Sequence, residues 1–162
     1  IQAPWSGGFG FNVSWKGIGL TADFSWVSGN YMLNNNLYFL ANPGMVIGGY
    51  GQVVQALDYW KQPGDNTRFP ALWHEIQFDS NILEDASFLR LKNIQLSYTL
   101  PRHLLKNNRV ISGFKVYVGA RNLFTVTDYN GLDPEVASGD IASDVDYMPN
   151  SRQWTFGCEF KF

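Results

Sequence analysis

The chain has a single cysteine, two histidines, no initiator methionine and no secretory leader. One cysteine cannot form an internal disulfide. No stretch approaches the roughly 20 consecutive apolar residues of a spanning helix, which excludes a helical inner-membrane protein. Positive charge is also scarce. Lys and Arg number 12 against 14 Asp and Glu, for a net charge of −2. With no basic patch interleaved with aromatics, the chain has no electrostatic footprint for nucleic acid. The glycine-rich stretches Gly7–Gly10 and Gly48–Gly51 lack the Lys-Ser/Thr of a phosphate loop.

What the chain does have is alternation. Over Arg152–Phe162, Trp154, Phe156, Cys158, Phe160 and Phe162 fall on one side, with Gln153, Thr155, Gly157, Glu159 and Lys161 on the other. Successive side chains leave a strand from opposite faces, so one face suits lipid and the other water. Four more segments share the pattern. Phe9, Phe11, Val13 and Trp15 form one apolar set, and Ile18, Leu20, Ala22, Phe24 and Trp26 a second. Ile94, Leu96, Tyr98 and Leu100 form a third, and Phe114, Val116, Val118 and Ala120 a fourth. Each suits a tilted transmembrane strand, which takes about 9–11 residues.

The gaps between these strands alternate in length. Lys16-Gly17 is a minimal turn, Ser28 to about Asp85 a very long loop, Pro101 to Gly113 a modest one, and Thr127 to Ser151 long again. Outer-membrane barrels have short periplasmic turns and long outer loops, so both long gaps are expected outside the cell. Aromatic residues make up 16% of the chain, enough for the girdles such barrels carry at both lipid interfaces. The fold expected is therefore all-β: about five antiparallel strands of a large transmembrane barrel.

Near Lys92-Asn93 the alternation slips by one, because Leu89 and Leu91 precede Ile94 and Leu96. Either a β-bulge adds one residue there, or Phe88–Lys92 rises above the lipid where neither face needs to be apolar. Five strands cannot close a barrel, since the smallest single-chain bacterial examples have about 8. An open edge in lipid would leave backbone groups unpaired. Together with the missing leader, this leads to the expectation that residues 1–162 are the C-terminal segment of a longer polypeptide, with the remaining strands completing the wall.

No catalytic constellation emerges. The topology sets His74 and His103 on opposite sides of the membrane, where they cannot share a metal. Glu84 and Asp85, if extended, face opposite ways and do not form an acid/base pair. Cys158 falls on the lipid face as a small hydrophobe. Cofactors are not expected. Asp133, Glu135, Asp140, Asp144 and Asp146 supply carboxylates for a Ca²⁺ site, but their spacing is not an EF-hand's, and a solvated loop explains them better. Tyr59, Trp60, Trp73 and Tyr129 lie in the outer loops, where their rings could stack on cargo or pack the loops. A short amphipathic helix is expected near Gln52–Trp60. The water-facing set Asn12, Lys16, Asp23, Asn93, Gln95, Lys115, Arg121 and Glu159 mixes both charges with amides, as a wet lumen or the contact surface of a plug requires.

Leu83–Pro101, with Leu-Arg-Leu-Lys-Asn at its centre, and Val116–Thr125, with Asn-Leu-Phe-Thr, resemble the C-terminal end of SusC/RagA-type TonB-linked outer-membrane transporters. So does Tyr129-Asn-Gly-Leu-Asp-Pro-Glu-Val136. Leu57–Gly64 and Phe69-Pro70 are similar to the family's long-loop pattern. The resemblance implies a barrel of about 22 strands with a plugged lumen, although plug and energy-coupling box lie outside this sequence. It implies a SusD-like lipoprotein lid, a TonB complex acting through the plug, and oligosaccharide or oligopeptide cargo. The expected location is the outer membrane of a Gram-negative, Bacteroidetes-like bacterium. Resemblance to barrel C-termini also marks Trp154, Phe160 and Phe162 as the assembly signal. The competing readings are a passive porin-like or adhesin-like barrel and a soluble carbohydrate-binding sandwich. A plug in the intact polypeptide separates the first from import, and detergent dependence separates the second.

Overall fold

A computed structural model of the chain describes residues 3–42, 49, 51–72, 74, 76–105, 110–136, 143–144 and 148–162. The chain divides into two compact units. One, made of Trp5–Ser28, Phe88–Thr127 and Asn150–Phe162, is a sheet. The other gathers Ile1–Pro4, Gly29–Ser87 and Asp128–Pro149, and so contains both long connections.

The sheet holds five long antiparallel strands: β1 (Trp5–Trp15), β2 (Ile18–Ser28), β5 (Phe88–Thr99), β6 (Gly113–Arg121) and β8 (Gln153–Lys161), in the order β1-β2-β5-β6-β8. All five expected strands are present. Their neighbours in sequence are neighbours in space, as up-and-down barrels require. Lys16 and Gly17, both at positive φ (48° and 89°), turn the chain from β1 into β2. A two-residue hairpin with both central residues left-handed matches the twist of its strands.

The register sorts the side chains into rows. Phe11, Ala22, Ile94, Ala120 and Trp154 are successive partners across the sheet, as are Val13, Leu20, Leu96, Val118 and Phe156. Phe9 stacks on its partner Phe24 with ring centroids 4.9 Å apart, and Phe114 meets Phe160 at 4.9 Å. One face is thus apolar across all five strands.

The slip near Lys92 is a bulge. Asp23 pairs with Asn93 while Phe24 pairs with Leu91, so Lys92 is the extra residue of the ladder and the apolar residues on both sides of it stay on one face. The neighbouring strand breaks at the same level. After Arg121 the chain passes through Asn122 at φ 51° and resumes as β7 (Thr125–Thr127), which pairs with Phe88–Arg90 of β5. Asn122 N donates to Lys92 O at 3.1 Å and Leu91 N to Phe124 O at 3.1 Å. The two motifs that carry the family resemblance therefore face each other across this irregularity.

The loop unit holds the conventional core. Leu37, Ala41, Ala56, Phe69, Ile76 and Ile82 form one buried cluster, and Met32, Ala86 and Tyr129 another. Strand β3 (Tyr31–Leu33) pairs with β4 (Leu83–Asp85) and closes the long connection on itself. The expected helix at Gln52–Trp60 is instead a short 3₁₀ turn, Val54–Leu57, followed by a parallel bridge between Tyr59 and Phe69. An α-helix forms earlier. α1 (Asn35–Leu40) starts where Asn34 accepts a hydrogen bond from Leu37 N at 2.9 Å, an N-cap that the Asn-rich run supplies.

Candidate functional site in the long loops

Within the loop unit, two carboxylates clamp the two long connections reciprocally. Glu84, on β4 of the first connection, is buried, and its Oε2 accepts from the backbone N of Asn130 in the second at 3.0 Å. Asp144, in the second connection, accepts from the backbone N of Asn35 at 2.7 Å and from Asn36 Nδ2 at 3.0 Å, both in the first. Each loop thus contributes an acid that holds the other's amide. Asn34 Nδ2 also donates to Glu84 at 3.3 Å, and Arg68 Nη2 to Glu84 Oε1 at 3.1 Å. Hydrogen bonds to a charged acceptor are stronger than neutral ones, and a buried carboxylate needs them.

Tyr129 completes the clamp. Its hydroxyl donates to Asp144 Oδ2 at 2.7 Å while its ring joins Met32 and Ala86 in the core. Burial pushes the phenol far above its ordinary range, and the Asp144 hydrogen bond and the negative charges of Asp144 and Glu84 act in the same direction. It stays a donor at every physiological pH.

This geometry revises the expected site residues. Tyr129 is buried and unavailable for stacking on cargo. Tyr59 is half-buried against the core with Lys61 Nζ 4.9 Å from its ring centroid, so it packs the loop. Trp60 is 38% exposed and opens onto a cavity of about 400 Å³ shared with Arg68, Pro70, Gln77 and Asn81. Trp73 lies outside the described residues. So do Asp140 and Asp146. Asp144 belongs to the clamp, and Asp133 accepts from Glu135 N at 3.0 Å in a local turn. No group of three or more metal-ligating side chains occurs among the described residues.

The polar face of the sheet collects most of its expected members. Asn12, Thr21, Gln95, Gly119 and Thr155 form one row, and Asp23, Asn93, Arg121 and Gln153 the next, while Lys115 pairs with Glu159. Asn12 Nδ2 donates to Thr21 Oγ1 at 3.1 Å, and Asn93 Nδ2 to Asp23 Oδ2 at 3.1 Å. Lys16 is the exception: it sits in the turn, its ammonium 4.7 Å from the Trp15 ring centroid. Trp154 and Phe160 lie on the apolar face, exposed, and Phe162 follows the last strand residue.

Sequence reasoning missed the clamp. In sequence Glu84 reads only as a neighbour of Asp85, and Arg68 and Asn34–Asn36 carry no motif. The signal lay in residue type: a Glu inside an apolar-flanked strand must find donors.

A sheet apolar on one face and polar on the other, with its long connections packed into their own unit, is the wall of a transmembrane β-barrel. Comparison with known proteins makes this specific. The chain is 41% identical to a chain of the RagAB peptide importer in its closed-closed state, over 99% of this chain and 17% of that one, with a TM-score of 0.88. Against the open-open state the identity is 40% and the TM-score 0.84. The TonB-dependent receptor P3 of Formosa agariphila is 28% identical over 96% of this chain and 16% of its own length. The TonB-dependent receptor SusC of Bacteroides thetaiotaomicron is 38% identical over 46% of this chain and 7% of its own. No protein-family model matches the chain. It spans about a sixth of the length of the curated relatives that match it end to end. The chain belongs to the TonB-dependent receptors of the SusC/RagA kind and forms a segment of their barrel.

Proposed function

We propose that residues 1–162 form part of the wall and the outer loops of an outer-membrane importer in a Gram-negative, Bacteroidetes-like bacterium. On this reading the apolar face meets lipid and the polar face, with Asp23, Gln95, Arg121 and Glu159, lines the lumen or contacts a plug supplied by the rest of the polypeptide. The exposed edge strands β1 and β8 then pair with the remaining strands. Uptake is energised through TonB, and a SusD-like lipoprotein covers the outer loops. The cargo class is oligopeptide or oligosaccharide. The observation that carries the proposal is the two-faced sheet and its loop unit matching the RagAB peptide importer over nearly the whole chain, which favours peptides.

The test is growth of the source bacterium on short peptides, or on glycans, as sole nutrient after deletion of the full-length gene. Import predicts loss of growth on one class, the same loss when TonB is removed, and recovery of a lipoprotein with the tagged barrel. Uptake that survives removal of TonB would make the protein a passive pore. Trp154, Phe160 and Phe162 serve as the assembly signal in this proposal, and unchanged insertion after deletion of Phe162 would refute that role.

A further inference from the structure

A second cavity, of about 250 Å³, opens between the two connections of the loop unit, and its walls differ in kind from those around Trp60. The buried Leu37, with Leu40 and Val53, gives it an apolar lining, and Leu132, 65% exposed, completes that lining from the other connection. No lining residue among those described is charged or aromatic. The polar groups present are carboxamides. Gln55 and Asn130 are exposed, and the side-chain amide of neither carries a hydrogen bond among the described residues.

The walls are fixed in advance. Asn34 and Asn36 donate to Glu84 and Asp144 respectively, Asn130 is held through its backbone N on Glu84, and Leu37 is held through the Asn34 cap. The reciprocal clamp therefore brings together the two walls of the cavity, drawn from residues 34–55 of one connection and 130–132 of the other. A site held by such supporting bonds loses little entropy when filled.

We propose that this cavity binds the apolar side chain of an extended peptide, with Gln55 and Asn130 pairing to the peptide backbone beside it; this rests on the import reading above. A carboxamide presents one acceptor and two donors, the complement of a backbone C=O and N–H. A leucine-lined pocket without charge selects an uncharged apolar side chain. A sugar ring would instead call for an aromatic face to stack on, and the described residues of this lining offer none.

The experiment uses the full-length transporter with its lipoprotein partner and labelled short peptides identical except for one residue, Leu, Ser or Lys. The native complex should prefer the Leu peptide. Leu132→Arg changes an exposed residue outside the clamp, and should lower affinity for the Leu peptide about tenfold while leaving the Ser peptide unchanged. Gln55→Ala should weaken the Leu and Ser peptides alike. Discrimination between Leu and Ser that survives Leu132→Arg in a correctly inserted barrel overturns the proposal. So does loss of lipoprotein recovery with discrimination intact, which would make the cavity a protein-docking surface. If the native complex binds no peptide at all, the peptide-import reading itself fails, a separate result.

Discussion

The Tyr129 hydroxyl and the Asp144 carboxylate, 2.7 Å apart, lie in one long connection and hold it against the backbone of the other through Asn35. Tyr129→Phe keeps the ring in the Met32–Ala86 cluster and removes only the donor. The loop unit should lose about 1–3 kcal/mol, seen as faster amide exchange at Asn35 and Asn36 with the strands unaffected.

The same phenol sets an alkaline limit. Its folded pKa is raised above the ordinary 10.0, so its stabilising contribution is complete below about pH 10 and declines as pH rises toward the folded value. Amide exchange in the loop unit should therefore accelerate at strongly alkaline pH in the native protein. In Tyr129→Phe that phenol's part of the dependence should be absent. An identical alkaline profile for the two proteins would remove Tyr129 from the clamp.

Glu84→Gln keeps the shape of the side chain but turns one of its two acceptors into a donor, facing either Arg68 or the pair Asn34 and Asn130 N. Either the Asn34–Asn130 side or the partly exposed Arg68 then loses an acceptor, at a cost of up to about 3 kcal/mol. Limited proteolysis should cut both connections at raised and matching rates, because each holds the other. Cleavage confined to one connection would show that the clamp is not reciprocal.

Gly131 lies against the ring of Tyr129, where an added Cβ would collide with the phenol, whereas a Cβ at Gly51 meets nothing within 4 Å. Gly131→Ala should therefore mimic Tyr129→Phe in amide exchange, and Gly51→Ala should be close to neutral. Equal effects of the two alanines would contradict the packing of Tyr129.

Val118 sits mid-row on the apolar face and Gln95 on the polar one. Val118→Arg should cost about 2–4 kcal/mol if that face meets lipid, and Gln95→Arg should be mild. The comparison is read from the folded, heat-modifiable fraction of full-length barrel.

The sheet was legible because a period-2 pattern and a face boundary are local properties of sequence. Even the slip at Lys92 announced itself as two apolar pairs out of phase, although only the register of β2 against β5 decided for a bulge. The loop unit was far less legible. Glu84 meets Asn130 across 46 residues and Asn35 meets Asp144 across 109, and no local periodicity encodes such pairs. For Tyr129 the sequence leaves stacking on cargo and packing of the loop equally open, and only the tertiary fold, where its ring joins Met32 and Ala86, decides for packing. The 3₁₀ turn at Val54–Leu57 in place of the expected helix follows the same rule, since there the chain bends to bring Tyr59 beside Phe69.

The loop unit is interrupted in sequence by β5, β6 and β7. Synthesis delivers Gly29–Ser87 first, with Glu84 lacking Asn130 and the Asn35 amide lacking Asp144. Neither partner arrives until the chain has crossed the sheet and returned through Thr127. The two connections can therefore be clamped to one another only once the residues between them, 88–127, are part of the chain.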